Sequence, residues 1–134
     1  MTGVSSISSQ NGYFTNDRGP RERSQHFGDV PRRWPVYTFG PFTVLPKKRL
    51  LYRDGRALDI GSRAFDLLLV LLQAPGEVLA KDLILRSVWP SVYVDEVNVK
   101  VQVRSLRKVL GNFADTVICI PGEGYAFTGD VVIT

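Results

Sequence analysis

Cysteine and histidine are nearly absent from this chain of 134 residues, which contains one of each. The single Cys119 excludes an intrachain disulfide, and its apolar neighbours Ile118 and Ile120 predict a buried strand residue in a reducing compartment. His26 has no candidate partner nearby, so we predict no metal site, no cofactor and no acid–base catalysis. Paired carboxylates in an apolar context and a GxSxG motif are also missing, so we expect a protein that is not an enzyme.

Long apolar runs are lacking too. No segment reaches the roughly 18–20 apolar residues of a membrane-spanning helix, and the N-terminal residues contain no apolar core of a secretory signal. We therefore expect a cytoplasmic protein with no membrane contact. Residues 1–35 are rich in Ser, Gly, Asn and Arg and poor in aliphatic residues, which predicts a disordered tail. The folded domain is predicted at 36–134.

Acidic residues are missing from one basic segment, Val97–Gly111, which reads VNVKVQVRSLRKVLG and holds four Lys or Arg. The chain has 17 Lys and Arg against 13 Asp and Glu, so the rest of it is balanced at 13 of each. Clustering of this kind indicates a polyanion partner more strongly than net charge does.

The secondary structure of this basic segment has two possible interpretations. Its valines alternate with polar residues from Val97 to Val103, which is typical of a half-buried strand. A helical apolar stripe with spacings of four, three and four continues further along the segment: Val99, Val103, Leu106 and Leu110. Gly111 then stands where a helix needs a C-cap residue. We therefore predict a helix over about 97–110. Its polar face comprises Lys100, Arg104, Arg107 and Lys108 beside the stripe, and Asn98, Val101, Gln102 and Ser105 facing outward.

An antiparallel sheet is predicted at the start of the domain. Short apolar stretches are separated by turn signals, of which Asp54–Gly55 is among the stronger hairpin markers. The predicted strands are Tyr37–Leu45, Arg49–Arg53 and Arg56–Asp59. The first can instead be divided into two strands, Tyr37–Phe39 and Phe42–Leu45, separated by Gly40–Pro41.

Two helices are predicted between this sheet and the basic helix. The first extends from an N-cap at Ser62 to about Ala74, and it is apolar nearly all round, so it should be buried on several sides. A short strand is predicted at Glu77–Leu79. The second helix is predicted at Lys81–Val88, with three residues in the core: Leu83, Ile84 and Val88.

A β-hairpin is predicted after the basic helix, with strands Thr116–Ile120 and Tyr125–Thr128 around the turn Pro121–Gly124. Two helices joined by a short loop, the second of them basic, form a helix-turn-helix, and a following hairpin makes it winged. The predicted fold is therefore α+β: a winged helix-turn-helix with an N-terminal antiparallel β-sheet, a three-helix core and a C-terminal β-hairpin wing.

From about Tyr37 to Val131, the chain resembles the OmpR/PhoB-type winged-helix DNA-binding domain. Four stretches carry the resemblance: FGPFTVLPKKRLLYRDG, SRAFDLLLVLLQAPGEVLAKDLILRSVWP, VNVKVQVRSLRKVLG and VICIPGEGYAF. They are similar to the subgroup at the N-terminus of larger bacterial regulators, which includes CadC/ToxR-like membrane regulators and winged-helix–ATPase fusions. Ala126 stands where many relatives carry an arginine available to the minor groove, and Ala80 stands where they often carry a Ser or Thr cap.

The resemblance implies a bacterial transcription regulator that binds double-stranded DNA sequence-specifically, often as a dimer on paired half-sites. The third helix would lie in the major groove, and the wing, residues 116–128, would touch the adjacent backbone or minor groove. The implied DNA-binding residues are Asn98, Lys100, Val101, Gln102, Arg104, Ser105, Arg107, Lys108, Gly122, Gly124 and Tyr125. A loop that can contact RNA polymerase would comprise Ser91, Val92, Tyr93, Val94, Asp95 and Glu96.

Three alternatives stay open at this point. A winged helix used only for protein docking would have no affinity for DNA, whereas affinity for DNA would fall steeply as salt rises. Val101 on the outward face suits a thymine methyl group, but a dimer or tail contact suits it as well. The tail over 1–35 is either a solvated segment or a basic arm that touches DNA.

Overall fold

An antiparallel sheet precedes three helices and a hairpin in the computed structural model, which describes residues 35–134. The elements are β1 (Tyr37–Phe39), β2 (Phe42–Leu45), β3 (Leu50–Arg53), β4 (Arg56–Ala57), α1 (Ser62–Leu72), α2 (Lys81–Val88), α3 (Val97–Leu110), a 3-10 helix (Gly111–Thr116), β5 (Val117–Ile120), β6 (Gly124–Phe127) and β7 (Val132–Ile133). This arrangement confirms the predicted α+β winged helix-turn-helix. All but the last residue of the predicted tail lies outside the described range. Within that range, no helix is long and apolar enough to cross a membrane.

The N-terminal sheet has the spatial order β4-β3-β2-β1-β7, and all neighbouring strands are antiparallel. β1 and β2 are separate strands, as expected, with Gly40 between them at a φ of 52°. Asp54 and Gly55 both have positive φ, 50° and 81°, as a type I′ hairpin turn requires. The strand β7 pairs Val132 with Thr38 and was not predicted, because two residues carry no detectable periodicity.

The first helix, α1, is at the centre of the core. It packs against α2, α3 and β6, and six of its apolar residues are buried: Ala64, Phe65, Leu67, Leu68, Leu71 and Leu72. This confirms that α1 is covered on several sides. Full burial of a Leu or Phe side chain contributes roughly 1.5–3 kcal/mol, so α1 provides the surface on which the other helices are positioned.

The basic segment forms the helix α3, with the predicted bounds. Its buried residues are those of the helical stripe: Val99, Val103, Leu106 and Leu110. The alternating valines do not form a strand, because only a helix turns all four of these residues toward α1 and the core. Gly111 ends the helix with φ 59° and donates its N–H to the carbonyls of Arg107 and Lys108.

The start of α1 differs from the prediction. Its N-cap is Gly61, and Ser62 is the first helical residue. The Ser62 hydroxyl instead accepts a hydrogen bond from the Arg49 guanidinium at 3.0 Å, and Arg49 also donates to Asp66 at 2.7 Å. The serine therefore takes part in a tertiary contact with the turn before β3, which a local capping motif cannot reveal.

The predicted core face of α2 is wrong at Leu83, which is 40% exposed. Ile84 and Val88 are buried, and Leu85 is half-buried against the core. Successive residues on a helix are about 100° apart, so a core on the Leu85 side of Ile84 leaves Leu83 facing solvent. The helix begins after Ala80, which makes no side-chain cap hydrogen bond, in agreement with the missing Ser or Thr.

The short strand predicted at Glu77–Leu79 is reduced to one bridging residue. Leu79 donates its N–H to the Tyr125 carbonyl at 2.8 Å, and the Tyr125 N–H donates back to the Leu79 carbonyl at 3.0 Å. The Gly76 N–H donates to the Phe127 carbonyl at 2.8 Å. The connection between α1 and α2 thus lines one edge of β6 and attaches the hairpin to the helical core.

One arginine joins the sheet to the end of α3. The Arg53 guanidinium lies over the rings of Phe42 and Phe113, 5.2 and 5.5 Å from their centroids. It also donates to Asn112 Oδ1 at 2.8 Å. Gly40 leaves room for this cluster, since a Cβ there would lie 2.8 Å from Phe113 Cε2. Cation–π attraction and the hydrogen bond therefore hold the 3-10 helix against the sheet.

We expect Gly124→Ala to destabilise the domain far more than Gly122→Ala. At Gly124, φ is 151° and a Cβ would lie 1.9 Å from the Leu79 carbonyl oxygen, so the bridge to β6 must open. At Gly122, φ is 76° and nothing lies within 4 Å of a Cβ. That variant would suffer only backbone strain, about 1–2 kcal/mol. Urea unfolding of both variants measures the difference, and equal free energies of unfolding would contradict the close packing at Gly124.

Candidate nucleic-acid interface

The exposed face of α3 carries three cations, Lys100, Arg104 and Lys108, and the helix contains no acidic residue. Among residues 35–134, none of these three side chains forms an ion pair. Arg49 and Arg63, by contrast, both pair with Asp66 on α1. The charge on α3 is thus not neutralised by the domain itself, as expected for a surface that binds a polyanion.

The preceding loop fixes the first turn of α3. Asp95 Oδ1 accepts a hydrogen bond from the Val97 N–H at 3.0 Å, and a carboxylate at this end also complements the helix dipole. The side-chain amide of Asn98 donates to the Asp95 carbonyl at 2.9 Å. Glu96 lies 3.7 Å from Lys81 Nζ. The half-buried Asn98 therefore already has one structural partner, while the helix N-terminus is held in one orientation.

Arg107 extends toward the wing. Its Nε and Nη2 donate to the Val117 carbonyl at 3.0 and 2.7 Å, and the side chain is half-buried. Because Val117 is the first residue of β5, this pair of hydrogen bonds sets the position of the wing relative to α3. Sequence patterns gave no sign of this contact, since the partner is a backbone carbonyl ten residues away.

The wing consists of β5, β6 and the turn between them. No Lys or Arg occurs in residues 117–127, and Glu123 is exposed in the turn beside Pro121 and Gly122. All four residues of β6 are buried, including Ala126. The wing can therefore offer backbone N–H groups to a phosphate, but no cation.

A groove lies between α3 and the wing, lined by Lys100, Val103, Arg104, Arg107, Cys119 and Tyr125. Tyr125 is only 3% exposed, and it lies opposite Cys119 in the register of the hairpin. Burial raises the pKa of the Tyr125 hydroxyl above its ordinary value, and Cys119 adds to this shift. The hydroxyl therefore stays protonated at neutral pH, and Tyr125 forms part of the buried wall of the groove.

The prediction that Cys119 is buried is wrong, because its side chain is exposed on β5. The apolar neighbours of Cys119 suggested that its strand is covered, but only one strand of the hairpin, β6, is covered. The Leu79 bridge covers the edge of β6, whereas β5 is buried only at Val117 and then projects away from the core.

The predicted polymerase-facing loop, Ser91–Glu96, lies beside a shallow, mostly apolar groove on α2. Leu85 and Trp89 line that groove together with Val92 and Tyr93 from the loop. Tyr93 is 98% exposed. The loop therefore presents a large aromatic side chain to solvent next to an apolar surface.

The structure brings five of the predicted DNA-binding residues to one exposed face of α3: Lys100, Val101, Arg104, Ser105 and Lys108. Asn98, Gln102 and Arg107 are half-buried, Gly124 and Tyr125 are buried, and Gly122 is exposed in the wing turn. Val97 was not among the predicted residues, yet it is 53% exposed. Its spacing of four from Val101 is the signal that would have identified it.

Residues 55–127 match the family model described as "Transcriptional regulatory protein, C terminal". The chain belongs to this family. The family is one of transcription regulators and not of enzymes. The predicted OmpR/PhoB-type relationship is thereby confirmed.

Two curated relatives illustrate the extent of the match. The transcriptional regulator HilA of Salmonella typhimurium is 28% identical over 110 residues, which cover 81% of this chain and 20% of HilA. The transcriptional activator CadC of Escherichia coli is 32% identical over 102 residues, which cover 73% of this chain and 20% of CadC. The chain thus spans 20% of the length of either relative.

Solved structures give the same fold. The DNA-binding domain of E. coli CadC superposes with a TM-score of 0.67 at 29% identity, covering 77% of this chain and 100% of that domain. The DNA-binding domain of Klebsiella pneumoniae RstA, solved in complex with the RstA box, gives a TM-score of 0.60 at 26% identity, covering 69% of this chain and 96% of the other.

We expect Arg107→Met to lower the free energy of unfolding by about 1–3 kcal/mol, because two charged hydrogen bonds to the Val117 carbonyl are lost. The matched control is Lys108→Met, the same substitution at the next, exposed position, with an expected effect within about 0.5 kcal/mol. Urea unfolding measures both variants. Indistinguishable stabilities would show that Arg107 does not hold the wing.

Proposed function

We propose that this domain binds double-stranded DNA sequence-specifically and regulates transcription in a bacterium. The observation that carries the proposal is the exposed, unneutralised basic face of α3, presented by a helix-turn-helix with a wing beside it. In such motifs the second helix of the pair, here α3, lies in the major groove, with its N-terminal residues at the base edges. The structure of the RstA DNA-binding domain in complex with the RstA box supports DNA binding by this chain.

The exposed polar residues of α3 would contact different groups of the DNA. Arg104 is the best candidate for reading a guanine, because its planar fork can donate to O6 and N7 together. Lys100 and Lys108 suit phosphates, which set position and orientation without specifying sequence. Ser105 and the half-buried Gln102 would donate to base edges or accept from them.

The wing would contribute to DNA binding through its shape and its main chain more than through charged side chains. Glu123 in its turn opposes approach to phosphates, and the buried Ala126 cannot supply a minor-groove cation. Contact with the backbone or minor groove would therefore rely on main-chain N–H groups around Gly122. Most of the electrostatic affinity would come from α3.

Two further partners fit the same proposal. Copies of the domain would occupy paired half-sites one helical turn apart, about 10 base pairs, and the stoichiometry of a titration reveals this.

A protein that binds chromosomal genes would work in the bacterial cytoplasm. The Ser91–Glu96 loop lies outside α3, and it would contact RNA polymerase through Tyr93, which is 98% exposed.

A titration against a duplex enriched from a random pool tests DNA binding. The logarithm of affinity should fall linearly with the logarithm of salt concentration, by about 0.9 for each phosphate neutralised. Lys108→Ala should weaken binding to every duplex and reduce that slope by about 1. The control Lys48→Ala removes the same charge in the turn between β2 and β3 and should leave the slope unchanged. Failure to enrich any duplex, with no salt-dependent affinity, would favour the protein-docking module.

For the polymerase contact, Tyr93→Ala should reduce cooperative binding of the domain and RNA polymerase to a promoter carrying the enriched duplex. Loss of an exposed aromatic anchor costs about 1–3 kcal/mol at an interface. Affinity of the domain alone for DNA should not change, because Tyr93 lies on the loop outside α3. The control Tyr93→Phe keeps the ring and should keep most of the cooperativity. Undiminished cooperativity in Tyr93→Ala would remove the loop from the polymerase interface.

A further inference from the structure

Two valines occupy the outer face of α3. Val97 is 53% exposed and Val101 is 50% exposed, and a spacing of four places them side by side along the helix. At about 100° per residue, Val101 lies about 170° from the centre of the buried stripe. These side chains therefore mark the line of α3 that projects furthest from the domain.

The fold itself does not account for these valines. Neither belongs to the core cluster, and neither is among the partly buried residues packed against it. β-branched residues are also weaker helix formers than Ala, Lys or Glu, because their χ1 angle is restricted in a helix. Valine at these two exposed positions therefore does not serve the stability of the helix. This indicates that the two side chains contact a partner outside the domain.

The surroundings of the valines indicate what that contact is. Lys100 and Arg104 flank the two valines and form no ion pair within the described residues. The carboxylates that precede Val97 already have partners, Asp95 in the Val97 N–H and Glu96 in Lys81. These surroundings suit an anionic partner with an apolar feature. The thymine methyl group is the apolar feature of the DNA major groove. A protein partner fits less well, because a stable interface buries about 800 Å² on each side and two valines supply a small part of it.

We propose that Val97 and Val101 read the methyl groups of two thymines in the major groove, an inference that rests on the proposed DNA binding. Four helical residues span about 6 Å, which corresponds to about two base-pair steps of 3.4 Å. The half-site should therefore contain two thymines about two base pairs apart beneath the N-terminal half of α3.

Deoxyuridine tests the proposal from the DNA side, because it differs from thymidine only by the missing methyl group. The full chain is titrated with the duplex enriched from a random pool, in which each thymine in turn is replaced by deoxyuridine. Burial of one methyl corresponds to about a fourfold change in affinity. We expect losses of this size at two positions about two base pairs apart in each half-site that the domain occupies, and no loss at thymines outside the half-sites.

Variants of the protein identify the residue that reads each methyl. Val101→Ala should bind the unmodified duplex about fourfold more weakly and lose its sensitivity to deoxyuridine at one of the two positions. Val97→Ala should do the same at the other position. Both changes favour the helix, so loss of folding is not expected. The matched control Val132→Ala alters an equally exposed valine on β7 and should keep full sensitivity at both positions.

Two outcomes overturn the inference while leaving DNA binding in place. One is an enriched duplex whose affinity is unchanged by every deoxyuridine substitution. The other is a deoxyuridine effect that persists undiminished in both Val97→Ala and Val101→Ala, because another residue would then contact the methyl. Failure to enrich any duplex is a third result, and it overturns the proposed DNA binding and this inference together.

Discussion

Burial of one stripe of α3 against the helical core is the constraint on which the rest of the structure depends. The four residues of the stripe are Val99, Val103, Leu106 and Leu110, and burial of each contributes roughly 1.5–3 kcal/mol. This burial fixes the rotation of the helix about its axis. Lys100, Arg104 and the two exposed valines then project on the opposite side. A strand through the same residues would instead divide the stripe, with Val99 and Val103 on one face and Leu106 and Leu110 on the other.

The wing depends on that helix in turn. Arg107 joins α3 to the first residue of β5, and the Leu79–Tyr125 bridge joins β6 to the connection between α1 and α2. Gly124 permits the close approach that the bridge requires. Helix and wing are therefore held together at the base of the hairpin. The turn between β5 and β6 carries Glu123 and no cation, so the exposed positive charges lie on α3 and not on the wing.

Local signals in the sequence predicted most of the elements correctly. The helical stripe identified α3 against a competing strand pattern, Asp54–Gly55 marked a hairpin turn, and Gly40–Pro41 marked the break between β1 and β2. These predictions succeed because periodicity and turn conformation depend on residues close together in the chain. The strand β7 escaped prediction, since its existence depends on pairing with β1 almost a hundred residues earlier.

The sequence by itself therefore determined the order and type of the main elements, the basic character of α3 and the family resemblance. Only the tertiary structure decided which faces are covered: it exposes Cys119 and Leu83, uses Ser62 as a partner of Arg49 and directs Arg107 to the Val117 carbonyl. The physical reason is that burial and hydrogen-bond partners belong to pairs of elements. A residue's own neighbours in the chain set its conformation, but elements distant in the chain determine whether water, another side chain or DNA lies against it.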